Sequence, residues 1–368
     1  MVISMQENSP QMRVRGKKRR RNENGILIGS IILCIITLFS ITVCMVMVFR
    51  YRAAQLENIE VMNELEALQG TYTQEEVDAL LSQKTEEVSQ QASDETREEI
   101  LDDMKELMLS GDGALNMLRH FYPDDIVIVD SNQYYFIPIL DELKHHTYEK
   151  DNFVVTEDEL IEYYDGDRLI SHKGIDVSQY QGKIDWKKVA NDDIEYALIR
   201  LGIRGYTEGE IKKDENFETN IKGAFANNID AGVYFFTQAT SVKEAEEEAE
   251  FVLDALEPYN ITYPVILDIE TVNSDKARTK DLTKEERTEY AIAFCEMIKN
   301  AGYKPMIYGN LKSFMLLLDI EQLEEYDKWV AGYDTELYFP YDFKIWQYTD
   351  KGKVSGIDTD VDINISFY

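Results

Sequence analysis

The sequence predicts an α/β protein: an irregular β/α barrel, preceded by a transmembrane helix, a helical stalk and a small α+β module. Two observations predict it. From Gly174 onward, short apolar runs with β-branched and aromatic residues alternate with amphipathic helical stretches. Ahead of them stand an uncharged run, Gly25 to Phe49, and a long polar stretch free of proline.

The N-terminal run is long enough, at about 1.5 Å per residue, to cross a ~30 Å hydrocarbon layer with some tilt. Lys17, Lys18, Arg19, Arg20 and Arg21 precede it. Basic residues stay on the cytoplasmic side, so the chain is expected to be single-pass, with residues 1–24 inside and the rest outside the cell membrane. A cleaved signal peptide is the rival; its apolar core would be about half as long and would end at a small-residue site. Arg50 and Arg52 weaken the asymmetry without reversing it.

Residues 50–110 read as a stalk. Leu56, Ile59, Met62 and Leu65, then Leu80, Leu81 and Val88, then Ile100, Met104, Leu107 and Met108 give a patchy helical stripe. The stripe is too broken for a firm heptad register but leaves room for a homodimer through the stalk. Gly111 and Gly113 stop the helix. In residues 111–172, DIVIVDSNQYYFIPIL reads as a hairpin turning at Ser131-Asn132, and the segment is expected to be a spacer module.

In residues 173–368 the candidate strands are GIDVS (174–178), YALIRLGI (196–203), AGVYFFTQ (231–238), YPVILDIE (263–270), KPMIYGN (304–310), KWVAGYD (328–334), FKIWQYT (343–349) and VDINISF (361–367). Helices are expected over 214–228, 241–257 and 283–301. The connections between the last strands are too short for full helices, which makes the barrel irregular. A doubly wound open sheet is the alternative.

Charge and residue types exclude several chemistries. The net charge is -32. Nine Lys/Arg and two Asp/Glu fall in residues 1–52, leaving 29 against 68 beyond them. Such a surface does not bind nucleic acid through bulk charge. All four histidines precede Gly174, so the C-terminal domain can run neither a Ser-His-Asp nor a Cys-His mechanism. The three cysteines build no disulfide framework, and no metal site or cofactor is expected.

Carboxylates remain. Asp268 and Glu270 end an apolar strand, on the same side of it because residues i and i+2 share a face. Asp176 ends the first strand, and Asp362 lies in the last, its neighbour on closure. Three strand ends would bring acids to one mouth, where mutual repulsion raises at least one pKa toward the range of a general acid. Tyr234, Trp329, Tyr333, Trp346 and Tyr348 fall near strand ends and could stack on the apolar faces of sugar rings.

Seven motifs in order, KGIDVSQYQGKIDW, YALIRLG, GVYFF, PVILDIE, MIYGN, WVAGY and WQYTDKGKVSGIDTDVDIN, resemble the family-25 glycoside hydrolases, the lysozymes of the Chalaropsis type. The resemblance covers about Lys173 to Phe367. It implies an irregular β/α barrel and cleavage of the β-1,4 bond between N-acetylmuramic acid and N-acetylglucosamine in peptidoglycan glycan strands. It further implies Glu270 as acid/base, Asp268 as its assistant, and Asp176 and Asp362 as the rest of the acidic set. A barrel that grips glycan and positions a cell-envelope apparatus without cutting is the competing reading; the intact acids argue against it.

Overall fold

The computed structural model describes residues 74–110, 113–333 and 337–368. The basic tail, the expected membrane span at 25–49 and the start of the stalk lie outside the described residues. Among the described residues no helix is long and apolar enough to cross a membrane. The chain divides into two units, residues 1–101 and 102–368.

The stalk is helical where described: α1 runs Gln74–Ser110. Glu and Leu are its commonest residues, and side-chain pairs such as Gln90–Asp94, 3.0 Å, and Lys84–Glu87, 3.2 Å, run along its surface. Leu80, Leu81, Val88, Ile100 and Leu101 are all exposed.

The second unit begins with α2 (Ala114–Phe121) and the hairpin β1 (Asp125–Asp130) and β2 (Gln133–Pro138). Ser131 and Asn132 take positive φ at its turn, 51° and 62°, as a two-residue hairpin turn requires. A small antiparallel sheet follows, of β3 (Phe153–Val155), β4 (Ile161–Asp165) and β5 (Arg168–Leu169).

The barrel comprises β6 (His172–Val177), β7 (Tyr196–Arg204), β9 (Asp230–Phe236), β10 (Val265–Asp268), β11 (Pro305–Asn310), β12 (Asp327–Ala331), β13 (Ile345–Gly352) and β14 (Val361–Ser366). The short β8 (Ile211–Lys213) only extends β7 as an antiparallel flap. Neighbours from β6 to β13 pair in parallel through β7, β9, β10, β11 and β12. Strand β14 runs antiparallel to both β13 and β6 and closes the ring. A closed ring excludes the open doubly wound sheet.

Helices α3 (Trp186–Ala190), α4 (Phe217–Ala226), α5 (Val242–Leu256) and α6 (Lys284–Asn300) cover the first half of the barrel. Ser241 caps α5 by accepting from the Glu244 N–H, and Thr283 and Glu286 form a reciprocal capping box on α6. After β11 only short turns of helix remain, over Ser313–Leu317 and Ile320–Leu323.

The outer face of the helix-poor strands is covered by the preceding segment. Tyr148 stacks on Phe367 at 4.0 Å, and Phe153 meets the Trp346 ring edge-on at 5.5 Å. Tyr338, in the loop after β12, donates to the Asp125 carbonyl and accepts from the Val127 N–H. Residues 114–170, expected as a spacer, thus contain the α+β elements foreseen but share one apolar core with the barrel.

Inside the ring a second cluster of Tyr196, Leu198, Ile266, Met306, Trp329 and Ile345 fills the lower barrel. Tyr196 and Tyr263 stack at 4.3 Å and plug the N-terminal end of the parallel strands. The plug needs Gly174: a Cβ there would sit 2.2 Å from the Tyr196 ring. Gly174→Ala is expected to cost about 3 kcal/mol, the upper range for overpacking, measurable by denaturant unfolding of the purified chain; an unchanged midpoint would show that the plug yields.

Candidate active site

The mouth forms where the parallel strands end. Strand parity decides which side chains enter it. Asp176, Arg200, Tyr234, Asp268, Tyr308 and Gln347 occupy inward positions on successive strands, and the residues beside them in sequence, such as Ile175, Ile199, Val233 and Leu267, join the outer core. Because β14 runs in reverse, its first residues lie at the same rim, and Asp362 pairs in register with Asp176.

Asp176 is buried and held from two directions. Its Oδ2 accepts from Gln347 Nε2 at 2.8 Å and from Asn364 Nδ2 at 2.9 Å. Gln347 is oriented in turn by the Tyr308 and Tyr333 hydroxyls, which donate to its Oε1 at 2.8 and 2.9 Å. Trp329 Nε1 donates to Asn364 Oδ1 at 2.8 Å. Burial, then the Asp362 charge, holds Asp176 well above the usual carboxylate range.

Asp268 is also buried, and its Oδ1 has no hydrogen-bond partner among the described residues. Burial raises its pKa well above the ordinary value, helped by the Glu270 and Asp176 charges and opposed by Arg200. Arg200 is fixed by the fully buried Asp214 carboxylate, Nε and Nη2 each 2.8 Å from Oδ2. Glu270, half-buried two residues beyond Asp268, is raised by burial and then by the Asp362 charge. A carboxyl that keeps its proton toward neutral pH beside an open acceptor can protonate a leaving oxygen and later accept a proton from water.

The structure brings Asp176, Asp268, Glu270 and Asp362 together. The aromatics divide. Tyr333 stands at the rim with its ring 52% exposed, free to meet a sugar face. Tyr234 lies inside the mouth, edge-on to Trp329 at 6.0 Å. Trp329 is 1% exposed and belongs to the floor. Trp346 and Tyr348 flank the inward Gln347 and therefore face outward, into the core shared with residues 114–170. They cannot stack on a substrate in the mouth, which corrects that expectation. The sequence reading passed over Arg200, Tyr308, Gln347 and Asn364; their signal was a polar group at an inward position of an apolar strand.

A closed barrel with acids at the strand ends and no histidine in the mouth defines a hydrolase that works through carboxylates. The sequence pattern described as glycosyl hydrolases family 25 matches residues 175–357. The uncharacterized protein YegX of Escherichia coli (strain K12) is 30% identical over 198 residues, covering 52% of this chain and 68% of that protein. Lysozyme M1 of Streptomyces globisporus is 26% identical over 202 residues, covering 52% and 66%. Among solved structures, the modular autolysin LytC from Streptococcus pneumoniae, in complex with a synthetic peptidoglycan ligand, is 25% identical with a TM-score of 0.49, covering 58% of this chain and 52% of LytC. This chain thus spans about half the length of LytC. The family 25 glycosyl hydrolase from Bacillus anthracis is 24% identical with a TM-score of 0.46, covering 56% and 93%. The chain belongs to glycosyl hydrolases family 25 and is a glycoside hydrolase.

Because the Asp362 charge raises Glu270, Asp362→Asn removes a cause of that rise, and the Glu270 pKa should fall. A carbon-13 carboxyl titration of both forms checks this. An unmoved Glu270 would mean that burial alone sets its proton affinity.

Proposed function

We propose that the chain is a peptidoglycan muramidase, cutting the β-1,4 bond from N-acetylmuramic acid to N-acetylglucosamine. The observation that carries this reading is the pair of Asp268 and Glu270, two inward acids on one strand end with raised pKa values. Family membership supplies the reaction class, and a relative named a lysozyme supports the substrate.

Glu270, protonated in the resting site, donates to the leaving glycosidic oxygen. The substrate's own N-acetyl oxygen attacks the anomeric carbon, and the bond to the leaving sugar breaks. The unpartnered Oδ1 of Asp268 suits the acetamido N–H, whose capture would turn the acetyl oxygen toward that carbon. Glu270, now ionised, takes a proton from the incoming water. The water oxygen bonds to the anomeric carbon as the bond to the acetyl oxygen breaks, restoring the acetamido group and giving retention. This route differs from the two-carboxylate scheme in that the nucleophile comes from the substrate. Asp176, locked by Gln347 and Asn364, keeps Asp362 at a fixed distance from Glu270 and so holds the acid's proton in place.

Glu270→Gln preserves shape and removes the titratable proton. Turnover of purified peptidoglycan, followed as turbidity loss, should fall by about 10²–10⁴-fold. Asp268→Asn should also be severe, and thermal unfolding of both variants should match the parent. Near-parental turnover by a folded Glu270→Gln chain would place the acid elsewhere.

The apolar run at 25–49, with its basic flank, supports action outside the cell from a membrane anchor, and the exposed stripe of α1 supports pairing of two stalks. Protease added to intact protoplasts should degrade the barrel and spare a short N-terminal fragment. Cross-linking beforehand should trap a species of twice the chain mass. A protected barrel rejects the topology; a monomer alone rejects the pairing.

A further inference from the structure

A cavity of about 610 Å³ lies behind the mouth, within the ~300–1,000 Å³ of ordinary ligand sites. Lys173, Lys351 and Lys353 line it together with Asp158, Glu159 and Asp192. It shares a wall with the mouth. Asp350 faces the carboxylates, its charge raising Asp362 and Tyr333, whereas Thr349 and Lys351 on either side of it line the cavity. The same alternation puts Asp362 in the mouth and Ile363 in the cavity floor. The two spaces are one strand apart.

Three features mark the cavity as more than a gap. Its far wall, Asp158 to Leu160, comes from the segment that precedes the barrel, ahead of β4. That wall is held in a fixed shape: Thr156 Oγ1 accepts from the Leu160 N–H at 3.1 Å, and Glu159 adopts a φ of 61° that side chains rarely take. Its charges are also divided between held and open groups. Lys353 is paired with Asp360, and the Lys173 ammonium donates to the Asp192 carbonyl at 3.0 Å. Lys351, Asp158 and Glu159 have no side-chain partner among the described residues. An open cation therefore faces open anions across a cavity in a chain of net charge -32.

We infer that this cavity binds the stem peptide carried by the muramic acid unit of the substrate, a proposal that rests on the muramidase reading. Such a peptide bears carboxylates and, at its diamino acid, an ammonium. Lys351 takes a carboxylate, and Asp158 with Glu159 takes the ammonium. The stem extends at about 3.3 Å per residue, so a few extended residues carry it over the single strand between the two spaces.

The test compares the full chain on glycan strands that carry stem peptides and on the same strands stripped by an amidase. Peptide-bearing strands should be cut with kcat/KM about 10-fold higher. Lys351→Glu should abolish that preference through KM, leaving kcat and the cutting of stripped strands unchanged. Equal cutting of both strands by the parent, or an equal loss on both in the variant, overturns the proposal. If neither strand is cut, the muramidase reading falls, and methyl NMR of Ile363 with synthetic N-acetylmuramoyl pentapeptide still decides the cavity. A shift that Lys351→Glu removes supports it; no shift at millimolar peptide overturns it.

Discussion

The antiparallel insertion of β14 between β13 and β6 is the constraint on which the rest of the molecule depends. A purely parallel ring would set the start of its last strand at the closed end, among the tyrosines of the plug. Reversal puts Val361 and Asp362 at the open end, level with Asp176. The same strand then carries Asn364 one inward step deeper, where it reaches both Asp176 and Trp329. Reversal also leaves β13 and β14 joined by a short hairpin with no room for a helix, so another part of the chain must cover their outer face.

The acids at the mouth are costly in isolation, since each loses hydration and none is neutralised by direct contact with a cation. What makes the arrangement tolerable is division of labour. Asp176 is satisfied by two amide donors, while burial and the Asp362 charge hold its pKa well above the usual carboxylate range. Arg200 is held by Asp214 through Nε and Nη2, and its field still opposes the rise of the Asp268 pKa. Asp362 is left as the neighbour whose charge raises Glu270. Removing either amide donor would raise the Asp176 pKa further and free its carboxyl to turn, and the field at Glu270 would change without a single contact to Glu270 being lost.

Much of the architecture was legible because its signals are local. Apolar runs of strand length ended at turns, helical stretches over 241–257 and 283–301 stood between them, and the DIE and VDIN segments carried acids where strands stop. The failures share one cause. Trp346 and Tyr348 were placed by nearness to a strand end, yet face is set by parity, and Gln347 between them is the inward residue; a shift of one position sends a side chain to the other surface. Residues 114–170 looked like a spacer because nothing in their own pattern names the surface that Tyr148, Phe153 and Tyr163 cover. Arg200 and Asn364 were hidden by composition, since a polar residue in an apolar strand becomes informative only once its partners across the barrel are known.

The contact between Tyr148 and Phe367 has a further consequence for how the chain is made. One ring emerges from the ribosome more than two hundred residues before the other, and β6 must likewise wait for β14. The barrel cannot close behind the growing chain, and the aromatic layer laid down first stays uncovered until β14 and Phe367 have been made. Contacts of such long sequence separation fold late and expose sticky surface meanwhile. The barrel of a nascent chain therefore stays unclosed until β14 has been made, however early its hairpins and helices form.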